Sequence, residues 1–212
     1  MKYFWIALTL FSAFLSGAPQ FVVFDFGGVI ADVNRGPFLH FISDSLNIPY
    51  SQVKRDLRRD ALYEYLLNSK EKWPNYAGHA LSSQWSEEMA AKSLAIVTPI
   101  EGMERLIDRL KNQGYQLALL SNTGKARSAF LRSIGMYAPF SVTVLSCDVG
   151  GTKPEPLIYK ELLKELKCSP EQCLFIDNKK ANVKAAKKLG MDGILFQSAE
   201  QLEREFIHRE IL

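Results

Sequence analysis

The chain has 212 residues, 47% of them apolar and 23% charged, which is enough to bury one sizeable core and excludes a disordered or low-complexity class. Its 26 basic and 23 acidic residues leave a formal charge of +3, too mild to point to nucleic acid or a membrane surface, so a small molecule is the expected partner. The three cysteines have no histidine at metal-ligand spacing, which excludes a zinc site.

Residues 1–18 read as a cleavable export signal. Lys2 precedes an apolar stretch from Tyr3 to Leu15, and Ser16, Gly17 and Ala18 supply the small residues a signal peptidase needs. The stretch falls short of the roughly 20 residues of a comfortable membrane span, so no stable span is expected. The mature protein is then expected to begin near Pro19 as a periplasmic or secreted chain; a cytoplasmic chain, or one anchored at its N-terminus, is the alternative.

From Gln20 onward, short apolar runs alternate with helical patterns. The runs are Phe21 to Phe26, Gln116 to Leu120, Ser141 to Leu145, Gln172 to Ile176 and Gly193 to Phe196. That alternation predicts an α/β fold, a Rossmann-like doubly wound parallel sheet covered by helices on both faces. Met103 to Gln113, Leu157 to Lys167 and Asn182 to Leu189 are the clearest helices, the first and last each followed by glycine. Between Asp32 and Pro99 no strand stands out. Phe38 to Leu46, Val53 to Leu67 and Trp85 to Leu94 read as helices broken at Asn47-Ile48-Pro49 and Trp73-Pro74-Asn75, so 33–98 is expected to be a small helical cap inserted after the first strand. The α/β core would then comprise 19–32 and 99–212. Trp73, Tyr76, His79 and Trp85 read as the packing of that cap, with lining of a substrate pocket as the other possibility.

Four polar segments each follow an expected strand. Phe21–Ile30 ends an apolar run on Asp25, Gly27 and Gly28, which delivers a carboxylate to the ligand-binding edge of a parallel sheet and lets backbone approach the ligand. Asp25 is the candidate nucleophile. Ser121 offers a hydroxyl and, if a helix starts just after it, free backbone N–H groups there would suit phosphate oxygens. Lys153, in Gly150-Gly151-Thr152-Lys153-Pro154-Glu155-Pro156, could neutralise an anion, and Asp177 could hold a hard cation. Taken singly these are a strand-closing acid, a helix cap, a loop lysine and a second acid. In a doubly wound sheet they converge on one crevice.

The joint pattern resembles the haloacid dehalogenase superfamily over about Phe21 to Phe196, most specifically in Lys153-Pro154-Glu155-Pro156, Phe175-Ile176-Asp177 and Asn182-Val183 through Gly190-Met191. The likeness is to the branch with a small helical cap, which includes 2-haloacid dehalogenases, the phosphatase domain of soluble epoxide hydrolases and bacterial glucose-1-phosphate phosphatases. It implies hydrolysis of a small phosphomonoester, a sugar phosphate among the options, through an aspartyl-phosphate on Asp25. It also implies Mg²⁺ held by Asp25, the Gly27 carbonyl and Asp177, phosphate held by Ser121, Asn122, Gly28 and Lys153, and Lys153 balancing the charge of the transition state.

Two departures bear on that expectation. The family's usual second aspartate, two residues after the nucleophile, serves as leaving-group acid; here it is Gly27. The loss predicts slow turnover, a good leaving group or a donor from the cap. It also admits two other readings: a metal-independent 2-haloacid dehalogenase, whose halide leaves unprotonated, and a non-catalytic binding protein. Asn178 stands where the branch often has a second acid, and Asn178 and Asn182 are expected to tune the site rather than ligate metal. Asp25-Phe26-Gly27 spells a kinase motif, but no Gly-rich loop precedes it. The lysines at 179, 180, 184, 187 and 188 read as a solvated helix face or an electrostatic funnel for anions. Cys168 and Cys173 flank the turn 169–172 and could close a small loop if the chain is exported.

Overall fold

Each expected apolar run becomes a strand in the computed structural model, which describes residues 19–58, 60–78 and 83–212. The export signal and His79 lie outside these residues. In chain order the elements are β1 (Phe21–Phe24), β2 (Ala31–Val33), α1 (Gly36–Leu46), α2 (Tyr50–Asp56), α3 (Asp60–Leu67), α4 (Ser69–Lys72), a 3₁₀ turn (Trp73–Gly78), α5 (Ser83–Ser93), a second 3₁₀ turn (Leu94–Ile96) and β3 (Val97–Pro99). They continue with α6 (Met103–Asn112), β4 (Gln116–Ser121), α7 (Lys125–Ser133), β5 (Val142–Leu145), α8 (Ser146–Val149), α9 (Pro156–Leu166), β6 (Cys173–Asp177), α10 (Lys180–Lys188), β7 (Asp192–Leu195) and α11 (Ala199–His208).

The chain divides into two units. Among the described residues, the first takes in 19–30, Pro99–Asn122 and Tyr137–Leu212. Its sheet has the order β5-β4-β1-β6-β7 with all neighbours parallel, so the chain builds outward from β1 to one edge and then returns to build the other. Strands buried on both faces must be apolar throughout, and β1 is wholly buried, as FVVF requires. On one face Phe21, Val23, Ala118, Leu120 and Phe175 pack with Ile158, Tyr159 and Leu162 of α9 and Ala186 of α10. The alternate residues Val22, Phe24, Leu117, Leu119, Leu174 and Ile176 are equally buried on the other. Glu203 of α11 joins α6 by accepting from Arg105 at 3.3 Å and from Arg109.

The second unit comprises Ala31–Thr98 and Thr123–Met136. It therefore includes α7, a segment the sequence reading assigned to the core. The reason lies in its packing: Phe130 of α7 meets Tyr63 of α3 with ring centroids 5.7 Å apart, and the Asp60 carboxylate lies so close to Gly124 that any Cβ there would overlap it. Trp73 is fully buried among the rings of Phe38, Tyr65, Tyr76 and Trp85. Trp73 and Tyr76 are thus core of this unit. Two further expectations change. A single helix over Val53 to Leu67 becomes α2 and α3, and two strands of three residues each, β2 and β3, pair with each other where none was expected. Among the described residues no helix is long and apolar enough to cross a membrane.

Candidate active site

Strand register brings the two acids together. Phe24 is level with Ile176 of β6 and Leu119 of β4, so Asp25, the next residue of the chain, reaches the level of Asp177 and Leu120. Its N–H donates to the Ile176 carbonyl at 2.9 Å, extending the ladder by one step. Ser121 closes β4 one residue farther on and is buried. All of this lies in the first unit.

Lys153 occupies the space between the acids. Its Nζ is 2.7 Å from Asp25 Oδ1, 2.8 Å from Asp177 Oδ2 and 2.6 Å from the Leu120 carbonyl, so all three ammonium protons have acceptors. The side chains of Lys153 and Asp177 are 1% and 0% exposed, and that of Asp25 is 9%. Two buried carboxylates thus share one cation, leaving an excess negative charge in a poorly hydrated place. Burial pushes the Asp25 carboxyl above its ordinary range; the Lys153 ammonium opposes that rise and the Asp177 charge adds to it.

The lysine is held from its backbone. The Asn122 side chain accepts from Lys153 N–H at 2.8 Å and donates to the Lys153 carbonyl at 2.9 Å, a reciprocal pair that ties the end of β4 to the lysine loop. On the far side, the Thr152 hydroxyl donates to Glu155 at 2.9 Å and Glu155 N–H donates to the Thr152 carbonyl at 2.7 Å. The Lys153–Pro154 peptide is cis, and Pro156 opens α9.

Asp177 is fixed as tightly. Besides Lys153, its Oδ2 accepts from Asn182 Nδ2 at 2.9 Å, and Oδ1 accepts from Lys179 N–H at 2.7 Å. The Tyr159 hydroxyl then donates to the Asn182 carbonyl at 3.0 Å. Asn182 therefore acts on Asp177, as its expected tuning role requires. Asn178 goes elsewhere: its amide lies over Gly28, which has φ +75°, and a Cβ on Gly28 would come within 2.2 Å of Asn178 Nδ2. Gly27 is half-buried in the same turn, where the Phe26 carbonyl accepts from Val29 and Ile30.

The donor set suits a small hard cation. Mg²⁺ is commonly bound through one or two carboxylates and keeps several waters, and Asp25 and Asp177 supply two carboxylates at the ends of adjacent strands. The excess negative charge that Lys153 leaves uncompensated is what such an ion offsets. Among the described residues there is no cluster of three or more His, Cys, Asp or Glu that would make an all-protein cage.

The structure thus brings together Asp25, Lys153 and Asp177 through direct contacts, and Ser121, Asn122, Gly27 and Gly28 through their places at the same strand ends. The exposed Lys179, Lys180, Lys184 and Lys188 lie on or just before α10, whereas Lys187 approaches Asp192 at 3.9 Å. Three contributors were missed by sequence reasoning: the Asn122 side chain, the Leu120 carbonyl and Tyr159. Tyr159 carried no signal, since it falls on the apolar stripe of α9, and a backbone carbonyl has none to carry.

Comparisons agree with this arrangement. A family model described as haloacid dehalogenase-like hydrolase matches residues 22–196. Flavin mononucleotide hydrolase 1 of Arabidopsis thaliana is 30% identical over 106 residues, covering 50% of this chain and 43% of that protein. The chain therefore spans less than half of that relative's length. Beta-phosphoglucomutase of Bacillus subtilis is 26% identical over 181 residues, 80% of each chain. Among solved structures, the HAD family enzyme bt-2542 of Bacteroides thetaiotaomicron, in complex with magnesium and inorganic phosphate, shares the fold with a TM-score of 0.62 and 20% identity, covering 89% of this chain and 100% of that one. With the four strand-end segments converging in the first unit and the family match running through all of them, the chain belongs to the haloacid dehalogenase-like hydrolases.

Proposed function

We propose that this hydrolase cleaves small phosphomonoesters by transferring the phosphoryl group to Asp25, with Mg²⁺ as cofactor. The observation that carries the reading is the pairing of two buried carboxylates with one ammonium. Displacement of halide by Asp25 would need a single carboxylate and no metal, whereas a second buried acid is useful where a cation must join a dianionic substrate. The names of the relatives support the same class, since one is a flavin mononucleotide hydrolase and another a phosphoglucomutase.

In this mechanism an Asp25 carboxylate oxygen attacks phosphorus, the P–O bond to the leaving group breaks, and an aspartyl-phosphate forms. Ser121 Oγ and the Asn122 N–H would hold the equatorial oxygens, with the Gly28 backbone approaching them from the turn after β1. Lys153 keeps Asp25 aligned and offsets charge that gathers as nucleophile and phosphate meet. Asp25, the Gly27 carbonyl and Asp177 would hold Mg²⁺, which when bound offsets the remaining charge of the phosphoryl group. Water then attacks phosphorus, returning the Asp25 carboxylate and releasing inorganic phosphate. Gly27 has no proton to give the leaving oxygen, so aryl phosphates, which leave as stable anions, are expected to turn over faster than alkyl phosphates.

The test is phosphate release from p-nitrophenyl phosphate and a panel of sugar phosphates, with Mg²⁺ and with chelator, by wild type and Asp25→Asn. Release that needs Mg²⁺ and disappears in the variant is expected. Chloride release from 2-chloropropionate in chelator, with no phosphate released from any ester, would overturn the proposal in favour of dehalogenation. Failure to release either product, with phosphate still binding, would leave a binding protein.

A further inference from the structure

Far from the catalytic end of the sheet, two sulfur atoms are held face to face. Cys168 follows the C-terminus of α9 and Cys173 opens β6; their Sγ atoms are 3.4 Å apart. Both backbones are pinned. Lys167, in the left-handed region at φ +53°, ends α9, and Cys168 N–H donates to the Leu163 carbonyl. The intervening turn is closed by a capping box in which Ser169 N–H donates to Gln172 Oε1 at 2.9 Å. Gln172 is in turn tied to Gln20, with Gln172 Nε2 donating to Gln20 Oε1 and Gln20 N–H donating to the Gln172 carbonyl, each at 2.9 Å. A disulfide needs its sulfurs at about 2.05 Å, so this pair, at 3.4 Å, has little more than an ångström to close.

We propose that Cys168 and Cys173 are a dithiol that oxidises to an intramolecular disulfide, a covalent staple between α9 and β6. The partner reagent is a low-molecular-weight disulfide such as oxidised glutathione. Cys168 is half-buried and Cys173 fully buried, so Cys168 reacts first. Its thiolate displaces one glutathione thiolate to give a mixed disulfide, and the Cys173 thiolate then attacks the Cys168 sulfur and expels the second. Two electrons and two protons pass from the pair to oxidised glutathione, which ends as two molecules of glutathione.

Burial raises both thiols above their ordinary range, which makes the thiolates scarce at neutral pH and the uncatalysed reaction slow, faster as pH rises. The staple lies at the start of β6 and Asp177 at its end, so the bond stabilises the first unit without entering the site. By the loop-closure argument, a six-residue loop gives an increase in melting temperature of about 5 °C.

The experiment uses the full chain, purified under reductant, exposed to oxidised glutathione at mildly alkaline pH, then alkylated in denaturant and digested with trypsin. The expected result is that Cys147 alone takes up the alkylating agent, and that the peptide spanning Cys168 to Lys179 is unalkylated, about 2 Da lighter than its reduced form, and restored by dithiothreitol. Alkylation of both Cys168 and Cys173, a stable glutathione adduct on Cys168, or disulfide-linked dimers through these residues would each overturn the proposal. A melting temperature that does not rise while the bond is present would overturn the staple as a stabilising device. Cys168→Ser, expected to abolish the 2 Da loss, gives a second reading on the same protein.

Discussion

Lys153 Nζ lies 2.8 Å from Asp177 Oδ2 and, on its other side, 2.7 Å from Asp25 Oδ1, so one ammonium serves two buried acids. Removing the cation therefore strands two carboxylates, whereas removing one acid leaves a matched pair. Lys153→Met is expected to destabilise the protein by about 3–5 kcal/mol, the usual consequence of breaking a buried ion pair from one side, and to abolish phosphate release. Asp25→Asn is expected to abolish release with no loss of stability at pH 7. Urea denaturation of the two variants checks the contrast; equal destabilisation by both would refute the account of shared charge.

The same imbalance has a pH signature. Burial raises the folded-state value of Asp25 above its ordinary 3.8. Between those two values the native state binds more protons than the unfolded state, so stability is fully present below about 3.8 and is lost as pH rises through the folded value. Asparagine does not titrate. In chelator, the melting temperature of Asp25→Asn minus that of wild type is therefore expected to open above about pH 4 and to level off once Asp25 is ionised. Adding Mg²⁺ is expected to narrow the gap by stabilising the ionised wild type. A difference that stays flat from pH 3.5 to 8 would show that Asp25 titrates alike in both states.

Much of this site follows from strand ends. A parallel sheet is readable because its buried strands are unbroken apolar runs, and the residue that ends each run is delivered to one edge whatever lies between. Asp25, Ser121 and Asp177 could be placed on that basis, and Lys153 by its glycine and proline neighbours. The Asn122 clamp could not, because both of its bonds reach 31 residues along the chain and nothing local requires them. Nor could the place of α7, whose buried Phe130 and Leu131 would suit a sheet face as well as the helix α3. The break between α2 and α3 has neither Gly nor Pro to announce it, and β2 and β3, at three residues each, are too short to show alternation.

Asn122 offers a test of positioning separate from binding. Its amide makes one accepting and one donating bond to the Lys153 backbone, so Asn122→Ala loses both and is expected to cost roughly 1–2 kcal/mol of stability. The lysine would remain in place by its three side-chain contacts but with its loop slackened. A drop in kcat of about ten- to a hundredfold, with KM changed by much less, is expected, because the ammonium acts chiefly on charge that develops in the transition state. Asn122→Asp keeps the acceptor and sets an oxygen against the Lys153 carbonyl, so it should do no better than alanine. A change confined to KM would assign Asn122 to substrate binding alone.

Gly28 and Asn178 meet where the turn after β1 passes beneath the end of β6. Alanine at position 28 faces two separate obstacles: φ of +75°, which costs an L-residue about 1–2 kcal/mol, and the Asn178 amide, 2.2 Å from where Cβ would stand. Only the second depends on Asn178. In a double-mutant cycle, Gly28→Ala is expected to be destabilising in the wild-type background and slightly less so in Asn178→Ala, with a coupling of no more than about 0.5 kcal/mol because the exposed Asn178 amide can rotate aside, while the conformational part persists in both. Activity should separate the two parts again, because the strained turn carries the Gly27 carbonyl proposed for Mg²⁺. The double variant is then expected to regain only the part of the stability lost to the clash, and to need more Mg²⁺ for half-maximal phosphate release than wild type. Full recovery of both quantities would mean that the clash alone makes glycine necessary and that the left-handed turn tolerates a side chain.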